Sequence, residues 1–383
     1  KRIGSVFMMV GLRFIIYLSV FICLDSIHAS TTSENAGATC QDKRSSSQNR
    51  IQTILQDAGF ASKDIDTILD GKLHKKILDS TNPREIGMAF AVLLSDTSPD
   101  DISEAFISQR FKTAVDPAIT GIGVINSLQS NKKKDLLEDF RKLSLFRSDK
   151  KKDESTVGSL LESSPSDDMN LSRDEINAFH KLKNVHDQSD SKTIMKKIDE
   201  TIQESLLKRY QSYREKSLEG ILPYSRSKGD YHPGKDMGLS SKMASVLRRE
   251  APIFFSHMSN FPRNRPDNCK ESFSWVSFDV GNGIPNVELI HRMGRKQPET
   301  GSFVFMERHF FALHSYNSVH GEGGAIPCGD DRTLLIFSSR TSTDAVSGFG
   351  GAAKRSVGVR MMGTMVSDVL EKFKTIHTRE KSK

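Results

Sequence analysis

The chain has 383 residues, of which 36% are hydrophobic and 27% charged, and a net charge of +7. That length comfortably holds two domains, and the composition excludes a disordered chain. Lys and Arg are interleaved with Asp and Glu and form no pure basic block, so the excess charge reads as a solvated surface and nucleic acid is not an expected partner.

At the start, Lys1, Arg2 and Arg13 precede an uninterrupted apolar run from Phe14 to Leu24. Such a run is too short for a bilayer, which needs about 20 residues, but suits the core of a secretory signal. The spacing predicts a signal peptide over 1–29, ending near Ala29, and a flexible leader over 30–49. The product is then secreted or periplasmic, with no stable membrane span after cleavage; an uncleaved anchor is the alternative. Cys40, Cys269 and Cys328 remain after the signal leaves. Export permits disulfides, and a Cys269–Cys328 bridge is expected from the turn-like settings of both residues. No Cys-x-x-Cys spacing exists to suggest zinc.

Residues 50–147 read as a helical domain. Ile51, Ile54, Leu55 and Ala58 recur at helical spacing, Ile65, Ile68 and Leu69 continue it, and further helices are expected around 82–94, 99–111 and 132–145. The polar stretch 148–170 reads as a linker. An α+β domain is expected over 171–383. It opens on the capping box Ser172-Arg173-Asp174-Glu175. A long amphipathic helix follows over 192–213, with Ile194, Ile198, Ile202, Leu206, Tyr210 and Tyr213 on one stripe, and a helix over 239–258 is interrupted at Pro252.

From Ser272 the period changes to that of strands: 272–280, a Gly281-Asn282-Gly283 turn, 286–293, the aromatic stretch from Ser302, a Gly-rich loop at 321–324, and 333–341. In the aromatic stretch, strict alternation puts Phe303, Phe305, Glu307, His309, Phe311 and Leu313 on one side, and Val304, Met306, Arg308, Phe310, Ala312 and His314 on the other. The fold expected is therefore α+β: an N-terminal helical domain, then an antiparallel sheet covered by a long C-terminal helix over 352–376.

A long helix across a curved antiparallel sheet, over roughly Ser272 to Lys383, resembles the helix-grip arrangement of START and polyketide-cyclase-like proteins. That resemblance implies an apolar ligand or a small cyclising site between sheet and helix. More locally, Arg308-His309-Phe310, His314-Ser315-Tyr316-Asn317-Ser318, Thr341-Ser342-Thr343-Asp344, Gly348-Phe349-Gly350, and Tyr213-Arg214 with Gly220-Ile221 and Pro223-Tyr224 resemble segments of a group of uncharacterised exported bacterial proteins. This second resemblance supports export and implies no activity.

Three constellations are candidates for chemistry. Gly348 to Gly351 opens a helix and offers backbone N–H groups to an anion, or is a turn that permits close packing. His291, Glu307 and His309, with Arg308 beside them, form an acid–base or metal-binding set if their strands pair in register. Ser315, His309 and Asp344 spell a hydrolytic triad, although no nucleophile elbow surrounds the serine.

Taken together, the residues predict an exported protein that holds a small apolar or amphipathic ligand between sheet and C-terminal helix. His314, Tyr316, Asn317, Thr343, Asp344, Phe349, Met361 and Met365 are the expected ligand contacts. An envelope enzyme, hydrolytic or metal-dependent, using His291, Glu307, Arg308 and His309 is the alternative, and an interaction module without a ligand is a third. The sequence names no cofactor.

Overall fold

A computed structural model of the chain describes residues 40–108, 118–126, 133–147, 149–279, 284–329, 332–348 and 350–381. The apolar run 14–24, the cleavage position at Ala29, the turn at 281–283 and Phe349 lie outside the described residues.

The first third of the chain contributes α1 (Cys40–Asp57), α2 (Ser62–Leu69), β1 (His74–Ile77), β2 (Glu85–Ser95), α3 (Pro99–Ser108), β3 (Ile119–Val124) and α4 (Lys133–Glu138). The middle third adds α5 (Lys150–Leu161), α6 (Arg173–Lys181), α7 (Lys183–His186), α8 (Ser191–Lys216), the small hairpin β4 (Tyr224–Arg226) and β5 (Gly229–Tyr231), α9 (Pro233–Lys242), α10 (Ser245–Glu250) and α11 (Pro252–Asn260). The last third supplies β6 (Cys269–Phe278), β7 (Asn286–Lys296), β8 (Phe303–Ala312), β9 (Ser318–Pro327), β10 (Arg332–Ser342) and α12 (Gly351–Lys381).

Eight strands form one sheet in the order β1-β2-β10-β9-β8-β7-β6-β3, and every neighbouring pair is antiparallel. The meander β6 to β10 follows directly from short connections. The division into a helical domain followed by a sheet domain is corrected by β2, which pairs with β10 along its whole length, and by β3, which pairs with β6. Residues 82–94, expected as a helix, contain most of β2, because the sequence Ile86 to Leu94 is buried on both sides and so shows no single periodicity. Met88, Phe90, Val92 and Leu94 join one core cluster, while Ala89, Ala91 and Leu93 join another on the opposite side.

The sheet is covered on both faces. On one, termed face A, α3 lies over β6 to β9, with Phe106 against Phe303 and Phe305 of β8, and α12 lies over β2, where Val359, Met362 and Val366 join the same core as Met88 and Phe90. On the other, face B, α1 and α2 pack over Ala89 and Ala91, whose small side chains let the helices approach, and α8 packs over β6 and β7. The stripe Ile194, Ile198, Ile202, Leu206, Tyr210 and Tyr213 of α8 is buried as its spacing requires. The capping box of α6 is present, with Ser172 Oγ accepting from Glu175 N and Glu175 Oε2 accepting from Ser172 N. The segment expected as a linker includes α5, whose Val157, Leu160 and Leu161 are buried. Three apolar side chains at i, i+3 and i+4 were enough to order it.

The expected disulfide is also corrected. Cys269 opens β6 and Cys328 follows β9, so two strands lie between them. That is about 14 Å at the spacing of paired strands, twice the reach of a disulfide. Both are free, buried thiols, and burial pushes Cys269 up to about 11. Among the described residues no helix is long and apolar enough to cross a membrane.

Candidate functional site

A β-bulge determines where the ionisable residues of β8 point. Leu289 of β7 pairs with Phe311 but its neighbour Ile290 pairs with His309, leaving Phe310 as the extra residue. Before the bulge, Glu307 and His309 face A while Arg308 faces B. After it, Phe311 and Leu313 join Phe310 in the face-B core, and Ala312 turns to face A. Strict alternation is therefore broken after His309, and Phe311 and Leu313 lie on the side opposite to that expected.

On face A the two residues meet. His309 Nε2 lies 2.9 Å from Glu307 Oε1, and Nδ1 lies 2.7 Å from the Tyr316 hydroxyl and 3.6 Å from Glu288 Oε2. Arg292 Nε donates to Glu307 Oε2, and its Nη1 donates to the Phe106 carbonyl of α3 at 3.0 Å. Burial, then the neighbouring Glu288 carboxylate, raises the Tyr316 phenol well above its ordinary value. This set can hold a proton between imidazole and carboxylate, but its five side chains are each at most 2% exposed. It is a closed network that substitutes for water around buried charge.

His291, expected beside that pair, is on the other face. A single row of cross-strand partners runs over face B: Phe273, His291, Arg308, His320, Arg340 and Gly87. His291 stacks on Phe273 at 4.3 Å between centroids, its Nε2 meets Glu271 Oε1 at 3.0 Å, and its Nδ1 meets the Tyr213 hydroxyl of α8 at 2.8 Å. Burial lowers the His291 imidazole, against the opposing pull of Glu271, while His291 and Arg265 hold the Glu271 carboxyl below its ordinary value although burial acts the other way. A neutral ring donating from Nε2 and accepting at Nδ1 satisfies both contacts. Arg308 Nη2 donates to the Met258 carbonyl at 2.9 Å, which ties α11 to the sheet.

Further along the row, His320 Nε2 lies 2.8 Å from Glu322 Oε2, and Ser338 Oγ donates to Glu322 Oε1 at 3.2 Å. Burial lowers His320, with Glu322 opposing. Ser241 Oγ of α9 is 3.5 Å from His320 Nδ1, yet it donates to the Met237 carbonyl of its own helix at 2.8 Å. The serine, histidine and glutamate are in line, but the hydroxyl proton is committed to the helix backbone. Arg340 Nη1 donates to Glu85 Oε1 at 2.5 Å, and Ser240 Oγ to Glu85 Oε2 at 2.7 Å.

This end of the row borders a partly open cavity of about 100 Å³. Its sheet side is Ala89, Val304, Gly323, Ile326 and Ile336 with Glu322, Ser338 and Arg340; its helical side is Ala58 after α1 and Met243 to Leu247 at the start of α10. Gln297, Thr300 and Ser302 of the β7–β8 turn close one end, and Arg50 with Glu250, paired at 3.2 Å, line another part. Gly323 belongs to a Gly-rich stretch expected as a loop; it is strand β9, because a Cβ at Gly323 would lie within 3 Å of Ile336 O, Phe337 and Phe305. The cavity is on face B, away from α12, and not between sheet and C-terminal helix as expected.

The remaining expected residues that are described do not line this cavity. His314 Nε2 meets the Ile284 carbonyl at 2.8 Å and Nδ1 meets Ser315 Oγ at 2.7 Å, which binds the β8–β9 turn together. Asn317 and Asp344 belong to a polar joint in which Arg226 Nη2 donates to Asn317 Oδ1 at 2.9 Å and to Asp344 Oδ2 at 3.2 Å, while Arg84 Nε donates to Asp344 Oδ1 at 2.6 Å. Thr343 Oγ1 donates to the Ser315 carbonyl at 3.2 Å. Ser315, His309 and Asp344 thus each have separate partners, and the triad spelled by the sequence is not assembled. Met361 is partly buried against the face-A core, and the Met365 side chain lies outside the described residues. Among the described residues no group of three or more His, Cys, Asp or Glu could hold a metal ion.

Sequence reasoning missed Gln297, Glu322, Arg340 and Ser241. The one available signal was His320-Gly321-Glu322, a strand-spaced acid and imidazole hidden among glycines. Comparison with protein families, curated proteins and solved structures finds no match to this chain.

Proposed function

We propose that this chain binds the short apolar end of a small amphipathic molecule in the face-B cavity between the sheet and helices α1 and α10. The observation that carries the proposal is a partly open, mainly apolar hollow bordered by Arg340 and Glu322 at one end of the buried polar row. A cavity of 150 Å³ holds benzene, so by proportion 100 Å³ suits about four non-hydrogen atoms, with the rest of the guest outside. The flexible Met243 thioether, 49% exposed at the cavity wall, provides an adaptable rim. The reading includes export, which rests on the apolar run 14–24 and its polar sequel.

Saturation-transfer NMR with 2-methylbut-1-ene tests it. Transfer is expected with the native chain and is expected to fall at least about fivefold with Ala244→Leu, which fills the hollow from a buried wall position. A thermal melt confirms that the variant is folded. Absence of transfer to the native chain both from this alkene and from its polar isosteres of the same size overturns the proposal.

A further inference from the structure

Resting on that reading, we infer that the guest carries an uncharged hydrogen-bond acceptor, a ketone, ester or amide carbonyl, and that Gln297 is the donor that recognises it. Gln297 lines the cavity, is 6% exposed, and its Nε2 has no hydrogen-bond partner. The orientation of the amide is fixed by chemistry: Arg295 Nη1 donates to Gln297 Oε1 at 3.1 Å, and a guanidinium can only donate. The end left over is therefore the N–H₂ group. Its position is fixed as well, because the Gln297 backbone closes the β7–β8 turn, donating to the Ser302 carbonyl at 2.7 Å and accepting from Gly301 N at 2.9 Å. A buried donor without a partner is costly, and an acceptor delivered by a ligand removes that cost.

The charges around the cavity decide between a neutral and an anionic acceptor. Arg340 is held by Glu85, Arg50 by Glu250, and Glu322 by His320 and Ser338. Among the described residues that line the cavity, both cations, Arg50 and Arg340, already have carboxylate partners, whereas the Glu322 carboxylate would repel an anionic guest. A neutral carbonyl needs only the Gln297 amide.

Three five-atom probes separate the outcomes: butan-2-one, its isostere 2-methylbut-1-ene, and propionate, each titrated by ligand-observed NMR at pH 7. The expected result is that Gln297→Glu, which keeps an acceptor for Arg295 but replaces the donor, weakens butanone about tenfold and changes the alkene by less than about twofold. Gln297→Met gives the same pattern should the glutamate variant fail to fold. Propionate is expected to bind more weakly than butanone. Equal loss of ketone and alkene in the variants, or tighter binding of propionate than butanone, overturns the carbonyl assignment while leaving the cavity as a binding site. If none of the three probes binds the native chain, the binding reading itself falls, and the inference with it.

Discussion

The two faces of the sheet at β7 and β8 treat the same residue types in opposite ways. On face A, Glu307, His309, Tyr316 and Arg292 satisfy each other under α3. On face B, His291, Arg308, His320 and Arg340 form a row that starts under α8 and ends beside a cavity. A carboxylate and an imidazole within hydrogen-bond distance are thus insufficient to mark a site. What distinguishes the face-B pair is an adjoining space into which another molecule fits, and a donor nearby that the protein itself leaves unused.

The largest effect should come from face A. Arg292→Leu leaves Glu307 enclosed without its guanidinium, and urea unfolding is expected to show a loss of about 3–5 kcal/mol. Butanone affinity of the folded fraction should stay unchanged, since neither Arg292 nor the side chains it joins on face A line the cavity. A loss below about 1 kcal/mol would mean that the face-A side chains are not a closed network of mutually satisfied charges.

A smaller effect should come from acid. Burial lowers His291, His314 and His320 relative to an unfolded imidazole near 6.5. The unfolded chain then takes up protons more readily, so the stability these rings contribute is fully present above pH 6.5 and is lost as the pH falls through that value. Glu271, held low, adds a loss of the same sign in the more acid range. Melting temperature should drop by a few degrees between pH 7.5 and 5.5, and His320→Asn should flatten the curve. A flat native profile would sink the assignment of these rings as neutral.

The smallest effect sharpens the face-B side. Ser241→Ala removes one bond to the Met237 carbonyl and should cost about 1 kcal/mol. Mass spectrometry after fluorophosphonate treatment should find neither Ser241 nor Ser315 modified. Labelling of Ser241 would turn the row into a hydrolytic site.

Much of the frame was legible in the residues. The stripe of α8, the capping box at Ser172 and the meander from Ser272 follow from periodicity and turn chemistry, and each is present. What escaped were features set by distant partners. Residues 86–94 carry good helix formers, but pairing with β10 and burial on both faces override local propensity. The glycines of β9 read as a loop until the phenyl rings that need their space are seen. The bulge at Phe310 reverses Phe311, Ala312 and Leu313 without any glycine or proline to announce it. Gln297 had no signature, because a donor lacking a partner is a property of its surroundings and not of the amino acid.

The pairing of residues 85–95 with residues 332–342 has a consequence for biosynthesis. The second strand emerges from the ribosome long before its central neighbour exists, with Gly87 to Leu94 offering an uncharged, aggregation-prone ribbon in the meantime. Closing such a long loop makes assembly slow. Truncation anywhere before β10 therefore leaves a sticky, unfinished edge instead of a smaller working unit, and a holdase that shields this ribbon during synthesis would raise the yield of native protein.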